Sequence, residues 1–419
     1  MLLVNLTIIL KSAAELITAL PIWLGGMVAV CAAAELTPAE AELRALRQNG
    51  DIIAARMRID EARGRLRQAG VRPNPEIHIE TQHVGRFREG YITAGWMQKF
   101  PGAAKLRLEK EVSQGLLDAA FAEVLVAERA LILQVRTHAV KLLALVSQDE
   151  LRSKQAANAN ELSEAAASRA EKGEGSSLEA AQFELEAQQL QLDALKAETV
   201  RAESLGELRK LLALPASEAL SIKGRLEAPH MMVVTPAAES RPEYLAAQKQ
   251  ESAALRAVEL EKARKRDDIS AGPYLGFQRS EDAPDGSANE SLIGIRFSIP
   301  LPFFSKNEGK IQEAEAHAAR LEAERKALAQ HIIADNAAAK ARLQTLARLI
   351  HEINSTLLPK AEELEMKLRD AYDKGLLPNT SDVLRAREKR LQFEHSRLDA
   401  LRDFHLLLAS MGLRDGGRP

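Results

Sequence analysis

The sequence predicts a mostly α-helical chain with a membrane β-barrel part, in which long coiled-coil hairpins occur twice in tandem. Three observations support this fold class: the composition, an internal repetition, and four short segments of alternating polarity. The 419 residues are 46% hydrophobic, yet only 4% are aromatic and 28% are charged. That balance is typical of long helices and coiled coils. A formal net charge of −2 gives no basic surface for nucleic acid, so we exclude that class of partner.

The N-terminus has the pattern of a secretory signal peptide. A lysine, Lys11, is followed by an apolar run that ends in small residues at Ala32–Ala34. We therefore predict a signal peptide over residues 1–34; a membrane-spanning anchor is the alternative. Cys31, the single cysteine, has Val30 before it where a lipidation site needs a small residue, so we assign it to the removed segment. The mature chain then has no thiol and depends on core burial and assembly for its stability.

One structural unit of about two hundred residues occurs twice. Gly173 and Gly375, which interrupt long helical stretches, lie about that far apart, and the sequence "LDALK" from Leu192 is echoed by "LDALR" from Leu398. We predict a first repeat over residues 35–214, a crossover linker over 215–239, a second repeat over 240–413 and a short tail over 414–419. Each repeat should contain a first helix of about thirty residues, two extended segments, a very long helix, a break and a final helix of about forty residues or fewer. The first helix should run from Thr37 to Gly70 in the first repeat and from Pro242 to Asp267 in the second.

The long helix of the first repeat should run from Gly102 to Lys172, because this stretch lacks proline and contains only one glycine, Gly115. At 1.5 Å per residue it would be about 105 Å long. The break "EKGEGSSLE" predicts a hairpin tip, since Gly173 ends a helix and Ser176 with Glu179 resembles a capping box. Gly375 followed by Pro378 predicts the second tip.

Leucines recur every seven residues in both final helices, which predicts the seam of a coiled coil. The recurring residues are Leu178, Leu185 and Leu192 in the first repeat and Leu384, Leu391 and Leu398 in the second. The d-type positions of the heptad hold Ala181 and Leu195 in the first repeat and Leu401 in the second.

Each repeat also contains two segments with the polarity pattern of β-strands. In "PEIHIETQHVG", Ile77 and Ile79 alternate with His78 and Glu80, and "SLIGIRFSIP" alternates in the same way. "YITAGWMQKF" and "ISAGPYLGFQ" show weaker versions. Nine to eleven residues is the length that a tilted strand needs to cross a bilayer.

Nine of the sixteen aromatic residues cluster around these strands, which favours an interfacial girdle on a barrel. They are Phe87, Tyr91, Trp96, Phe100, Tyr274, Phe277, Phe297, Phe303 and Phe304. A small soluble sheet packed on helices is the alternative. Four strands cannot close a barrel, and an open edge cannot exist in lipid, so copies of the chain must supply the missing strands. Two copies would give eight strands and three would give twelve.

From Thr37 to about Leu413, the order and duplication of these elements resemble the TolC-like outer membrane efflux proteins. The residues that carry the resemblance are "NPEIHIE", "QKFPGAAKLRLE", "SIPLPFFSKNEGKIQEAEA" and "YDKGLLPNTSDVL". The resemblance implies a homotrimer with a twelve-stranded barrel in the outer membrane and an α-helical tunnel in the periplasm. It also implies two partners, a periplasmic adaptor (membrane fusion) protein and an inner-membrane pump, and we expect a pump of the resistance-nodulation-division type.

By the same resemblance, the two tips form the periplasmic gate. Tyr372 and Asp382 occupy gate positions, while Arg385 stands where an acidic ring residue is expected. Acidic side chains on the first tip would supply a cation-attracting entrance, with a solvated hairpin as the alternative. The predicted gate set is Gly173, Glu174, Glu179, Tyr372, Gly375, Asp382 and Arg385.

Catalytic chemistry is not indicated by the sequence. The nine histidines are scattered singly, and no phosphate loop, dinucleotide fingerprint or nucleophile elbow occurs. We therefore predict no enzyme activity, no cofactor and no resident metal. The sequence favours a passive efflux duct in the cell outer membrane, with heavy-metal cations as one candidate cargo because "PLPFFSKNEGKI" resembles members that export them. The rival hypothesis is a periplasmic or secreted coiled-coil scaffold without a pore.

Overall fold

The computed structural model describes residues 34–84, 89–173, 177–227, 236–282, 286–374, 376–377 and 381–412. The predicted signal peptide up to residue 33, Phe87, Glu174, Ser176, Gly375 and the predicted tail lie outside these ranges. Within them, no helix has both the length and the apolar character needed to span a membrane.

The first repeat begins with β1 (Ala34–Leu36), α1 (Pro38–Gln48) and α2 (Gly50–Gln68), where a single helix from Thr37 to Gly70 was predicted. That prediction was wrong because Asn49 interrupts the helix. Its side-chain oxygen accepts hydrogen bonds from the backbone N–H groups of Asp51 and Ile52, at 2.9 and 3.3 Å. An asparagine that caps the next helix in this way favours a break over a continuous turn.

The rest of the first repeat follows the predicted order. Strands β2 (Glu76–Val84) and β3 (Glu89–Phe100) lead into α3 (Ala103–Glu171), a single helix of 69 residues. Gly173 has a φ of +73°, which ends α3 as predicted. The chain then returns along α3 as α4 (Ser177–Leu211).

The second repeat has the same plan. After β4 (Leu220–Ile222) and a 3₁₀ turn (Ala238–Ser240), α5 (Pro242–Ala263) leads to β5 (Ile269–Asp282) and β6 (Gly286–Ser298). The long helix is divided into α6 (Glu308–Glu352) and α7 (Leu358–Asp373) by a π-helical turn at Ile353–Leu357. Pro359, at the start of α7, lacks a backbone N–H, which accounts for the irregular turn before it. The last helix is α8 (Ser381–Met411).

The helices form a wall one layer thick. Near the sheet, α2 packs on α3, α3 on α5 and α5 on α6; further away, α4 and α8 both pack on α3, and α6 and α7 pack on α8. Gly115 of α3 allows close approach of α5, because a Cβ there would lie only 3.0 Å from that of Ala253. The wall therefore has two free flanks, α2 with α4 on one side and α6 with α7 on the other.

A small parallel sheet of two strands lies beside α1 and α3. β1 pairs with β4, which lies in the predicted linker, and neither strand was predicted. Both are only three residues long, so their alternation cannot be distinguished from loop. Beside them, α1, α3 and α4 bury a common apolar cluster that includes Ala41, Val135 and Leu208. This cluster fixes the first repeat around its long helix.

The leucine heptads behave differently in the two repeats. In α8, Leu384, Leu391 and Leu401 are buried and Leu398 is half-buried; Leu391 is only 1% exposed. In α4 the stripe is not covered within the chain, since Leu185 is 68% exposed and α4 packs on α3 through another face that includes Ala187 and Ala197. The heptad correctly identified an apolar stripe, but periodicity does not say which helix covers it.

Candidate functional site: a two-faced sheet above a helical wall

All four long strands form one antiparallel sheet in the order β2, β3, β5, β6. Strand pairing places cross-strand partners on the same face. Ile77 opposes Trp96, Ala94 opposes Leu275, and Leu275 opposes Ile293, so these side chains share one face. Most of its large apolar side chains are more than half exposed. The face therefore presents a broad apolar surface to its surroundings.

The apolar surface has the height of a membrane-spanning band. On β5 it runs from Ile269 through Leu275 to Phe277, which is about 27 Å along the strand. Beyond Phe277 the same face carries Arg279 and Asn289, which are polar. A strand tilted by about 40° would carry this stretch through about 20 Å of the membrane, which is close to the apolar band of about 25 Å on a barrel in the outer membrane.

The other face of the sheet is polar and concave. Arg296 on β6 donates a hydrogen bond to Glu80 on β2 at 2.6 Å, although β3 and β5 lie between these strands. Three strand spacings amount to about 14 Å in a flat sheet, which is too far for an arginine and a glutamate to meet side by side. The sheet must therefore curve towards its polar face, as the wall of a cylinder does.

Of the nine aromatic residues predicted to form a girdle, Phe87 lies outside the described residues, and six of the other eight remain compatible with a lipid-facing band. Trp96, Phe100, Phe277 and Phe297 lie on the apolar face, and Phe303 and Phe304 are exposed just after β6. Strand register puts Tyr91 and Tyr274 on the polar face instead. The hydroxyl group of Tyr91 donates a hydrogen bond to Glu80 at 2.8 Å.

At the other end of the molecule, an ionic network joins three helices. The carboxylate of Glu365 on α7 accepts hydrogen bonds from Arg390 and Arg387 on α8, at 2.7 and 3.3 Å. Arg387 also reaches Glu161 on α3 at 2.9 Å. Only 16% of the Glu365 side chain is exposed, against 54% for Glu161. The contacts of Glu365 are therefore less screened by solvent than the contact of Glu161.

A second polar contact links α3 and α8 close to this network. The side-chain amide of Asn158 is 1% exposed and donates to the backbone oxygen of Leu384 at 3.1 Å and to Glu388 at 3.4 Å. Burial raises the pKa of Glu388, an effect that its hydrogen bond with Asn158 opposes. The sequence analysis missed both residues. A polar residue within an otherwise apolar helical seam is the signal that could have identified Asn158.

The raised pKa of Glu388 predicts a pH dependence at this contact. The pKa of Glu388 in the folded protein lies above the usual 4.5, so the protonated carboxyl group favours folding. This contribution to stability is present below pH 4.5 and is lost as the pH rises through the folded-state pKa. We expect Glu388→Gln to raise the thermal stability of the assembled protein at pH 7.5 and to leave it almost unchanged at pH 4.5. The matched control is Glu363→Gln, which alters an exposed carboxylate whose pKa is lowered by Lys367. Equal melting temperatures for wild type and Glu388→Gln at both pH values would contradict this prediction.

The predicted gate residues lie at the far end of the two hairpins. Tyr372 is exposed in the last turn of α7, and Asp382 is exposed in the first turn of α8. Arg385 lies with its guanidinium group 5.7 Å from the centre of the Phe183 ring on α4. Glu179 falls in the first turn of α4, while Glu174 and Gly375 lie outside the described residues. Their role in a gate stays a prediction.

The described residues contain no group of three or more histidine, cysteine, aspartate or glutamate side chains arranged to hold a metal ion. The charged clusters around Glu365 and Glu80 are mixed pairs of acids and bases. Such pairs hold helices and strands together and leave no free carboxylate set for a cation. The chemistry available here is packing, ion pairing and the exclusion or admission of water.

The fold is that of the TolC-like outer membrane channels. The structure aligns with VceC, an outer membrane protein from Vibrio cholerae, at a TM-score of 0.69 and 19% identity, covering 90% of this chain and 96% of that one. It aligns with CusC at 0.67 and 15% identity, covering 90% and 92%. For the MtrE outer membrane channel of Neisseria gonorrhoeae in its open state, the values are 0.66 and 15%, covering 91% and 89%. The structures that the chain resembles are channels, not enzymes.

No protein-family model matches the sequence. Among curated proteins, none matches it either. The likeness to the solved channels is therefore one of fold, and it agrees with the resemblance drawn from the sequence.

Proposed function

We propose that the protein is the outer membrane channel of a tripartite efflux system, a passive duct formed by three copies of the chain. The observation that carries this proposal is the sheet: one exposed apolar face of membrane height, one polar concave face, and two free edges. Within the described residues, β2 pairs only with β3 and β6 pairs only with β5. In lipid such edges must be satisfied, and pairing β6 of one copy with β2 of the next satisfies both.

Neighbouring copies must also close the helical wall, and the internal repetition indicates which helices would pack together. Within one chain, the short helix of the second repeat, α8, packs on the long helix of the first, α3. The reciprocal contact, α4 on the long helix formed by α6 and α7, is not among the extensive contacts of the described residues. We infer that it forms between copies, with α4 of one subunit against α6 and α7 of the next.

The exposed side chains on both flanks support this arrangement. Leu162 of α3 is 2% exposed beneath α8, and Leu364 of α7, at the same distance before its tip glycine, is 51% exposed. On the opposite flank, Leu178 and Leu185 of α4 are exposed where their counterparts Leu384 and Leu391 are buried. Each flank of the wall therefore exposes apolar side chains whose counterparts in the other repeat are covered within the chain. A head-to-tail contact of this kind closes into a ring.

Three copies would give a barrel of twelve strands, wide enough for a water-filled lumen. The helices would continue this lumen into the periplasm, where a periplasmic adaptor protein and an inner-membrane pump, of the resistance-nodulation-division type in our proposal, would dock. Energy and cargo choice would come from the pump. Heavy-metal cations stay a predicted cargo, and the predicted gate residues at the hairpin tips would control the periplasmic entrance.

Cell fractionation tests the proposal against the rival scaffold. We expect the mature protein in the outer membrane pellet, extracted only by detergent, and we expect channels when it is added to planar lipid bilayers. Complete recovery in the soluble periplasmic fraction would reject the duct and favour the scaffold.

A further inference from the structure

The polar face of the sheet carries a side-chain cluster that the proposed duct does not by itself require. Glu80 on β2 lies at its centre and accepts hydrogen bonds from Tyr91 at 2.8 Å and from Arg296 at 2.6 Å. The guanidinium group of Arg296 also lies 5.4 Å from the centre of the Tyr274 ring, a cation–π distance. The cluster therefore joins all four strands of the sheet.

Glycines below the cluster allow it to form. Gly276 and Gly294 lie on the same polar face, and a Cβ at Gly294 would come within 2.6 Å of the Tyr274 ring. The ring therefore rests directly on the backbone of the neighbouring strand. Thr93, beside Glu80 in the register, is only 5% exposed, and Gly276, its partner on β5, is also buried. The cluster covers this part of the face and stands above it.

We propose that Glu80, Tyr91, Tyr274 and Arg296 form a charged ring inside the barrel that narrows the lumen and balances its ion selectivity. This proposal rests on the proposed function, because a polar concave face becomes a lumen only when copies close the barrel. Three copies then bring three Glu80–Arg296 pairs to one height. Each pair is neutral, so the ring favours neither cations nor anions while both partners are present.

Removing one partner leaves an uncompensated charge on the lumen wall. Glu80→Gln leaves three arginines and should lower the cation-to-anion permeability ratio, whereas Arg296→Gln leaves three glutamates and should raise it. A unit charge 5–8 Å from the path of an ion, in water and at low salt, changes the local concentration of each monovalent ion by about two- to fourfold. Because cations and anions respond in opposite directions, the permeability ratio should change by about 5- to 15-fold. The reversed pair, Glu80→Arg with Arg296→Glu, should restore the wild-type ratio.

The experiment is reversal-potential measurement on single channels in planar bilayers, with a potassium chloride gradient as the probe. The matched control is Arg279→Gln, which removes the same charge from the apolar side of the same sheet and should leave the ratio unchanged. A merely structural role for the pair would shift both single variants in the same direction or change only the yield of channels.

The two proposals fail in different ways. In one outcome the wild type forms channels, and the two single variants keep its selectivity or shift it in the same direction. That outcome would overturn the lumenal ring and leave the duct intact. Wild-type protein that forms no channels would overturn the duct, and with it the ring. Opposite shifts with restoration by the reversed pair would support the ring.

Discussion

Replacing both Leu185 and Leu192 on α4 with aspartate is expected to abolish the trimer. Both side chains are about half exposed or more in the single chain and belong to the stripe that we place against α6 and α7 of the next copy. Burial of a leucine is worth about 1.5–3 kcal/mol, and a carboxylate in its place would have to be desolvated without a partner. Three interfaces would be affected at once. Size-exclusion chromatography in detergent should show single chains with wild-type helix content by circular dichroism.

The control for this variant is Val200→Asp. Val200 is 42% exposed on the same helix and is not three or four residues from any leucine of the stripe. It should leave the trimer intact. A trimer of normal stability with both leucines replaced would show that α4 does not form the contact between copies.

Removing the Glu365 carboxylate is expected to loosen the second hairpin. Glu365→Ala would leave Arg387 and Arg390 without their shared acceptor in a partly buried site, at a cost of about 2 kcal/mol. The amides of α7 should then exchange with solvent about 10- to 30-fold faster, as measured by hydrogen–deuterium exchange and mass spectrometry. If the network also holds the periplasmic end narrow, the single-channel conductance should rise as well.

Glu363→Ala is the matched control, since Glu363 is exposed on the same helix and pairs with Lys367. We expect exchange rates close to those of the wild type for this variant. Wild-type exchange in α7 after loss of Glu365 would show that the ionic network does not stabilise the hairpin.

The order of elements could be predicted from the sequence because each is marked by strong local signals. The proline-free stretch before Gly173 corresponds to α3, and the alternation around Ile77 and Ile293 corresponds to two of the strands. The predictions failed where a single side chain decides the outcome. Asn49 splits a helix through two hydrogen bonds, and the spacing of apolar residues does not reveal such a cap.

The contacts between helices and strands were harder to predict than the helices and strands themselves. The heptads of α4 and α8 look alike in sequence, yet one stripe is exposed and the other is buried. Clustering in sequence also grouped Tyr91 and Tyr274 with the other aromatics, whereas strand register separates them. The contacts of Glu80 with Arg296 and of Glu365 with Arg387 join residues that are distant in sequence or on different helices. They follow from curvature and packing, which a single sequence does not encode locally.

The claim on which the rest of this account depends is that separate copies of the chain close one cylinder in the membrane. The most direct test is the mass of the detergent-solubilised mature protein, measured by light scattering with the detergent contribution subtracted. The account predicts a complex of three chains that binds a belt of detergent. A single chain that stays soluble without detergent would contradict it.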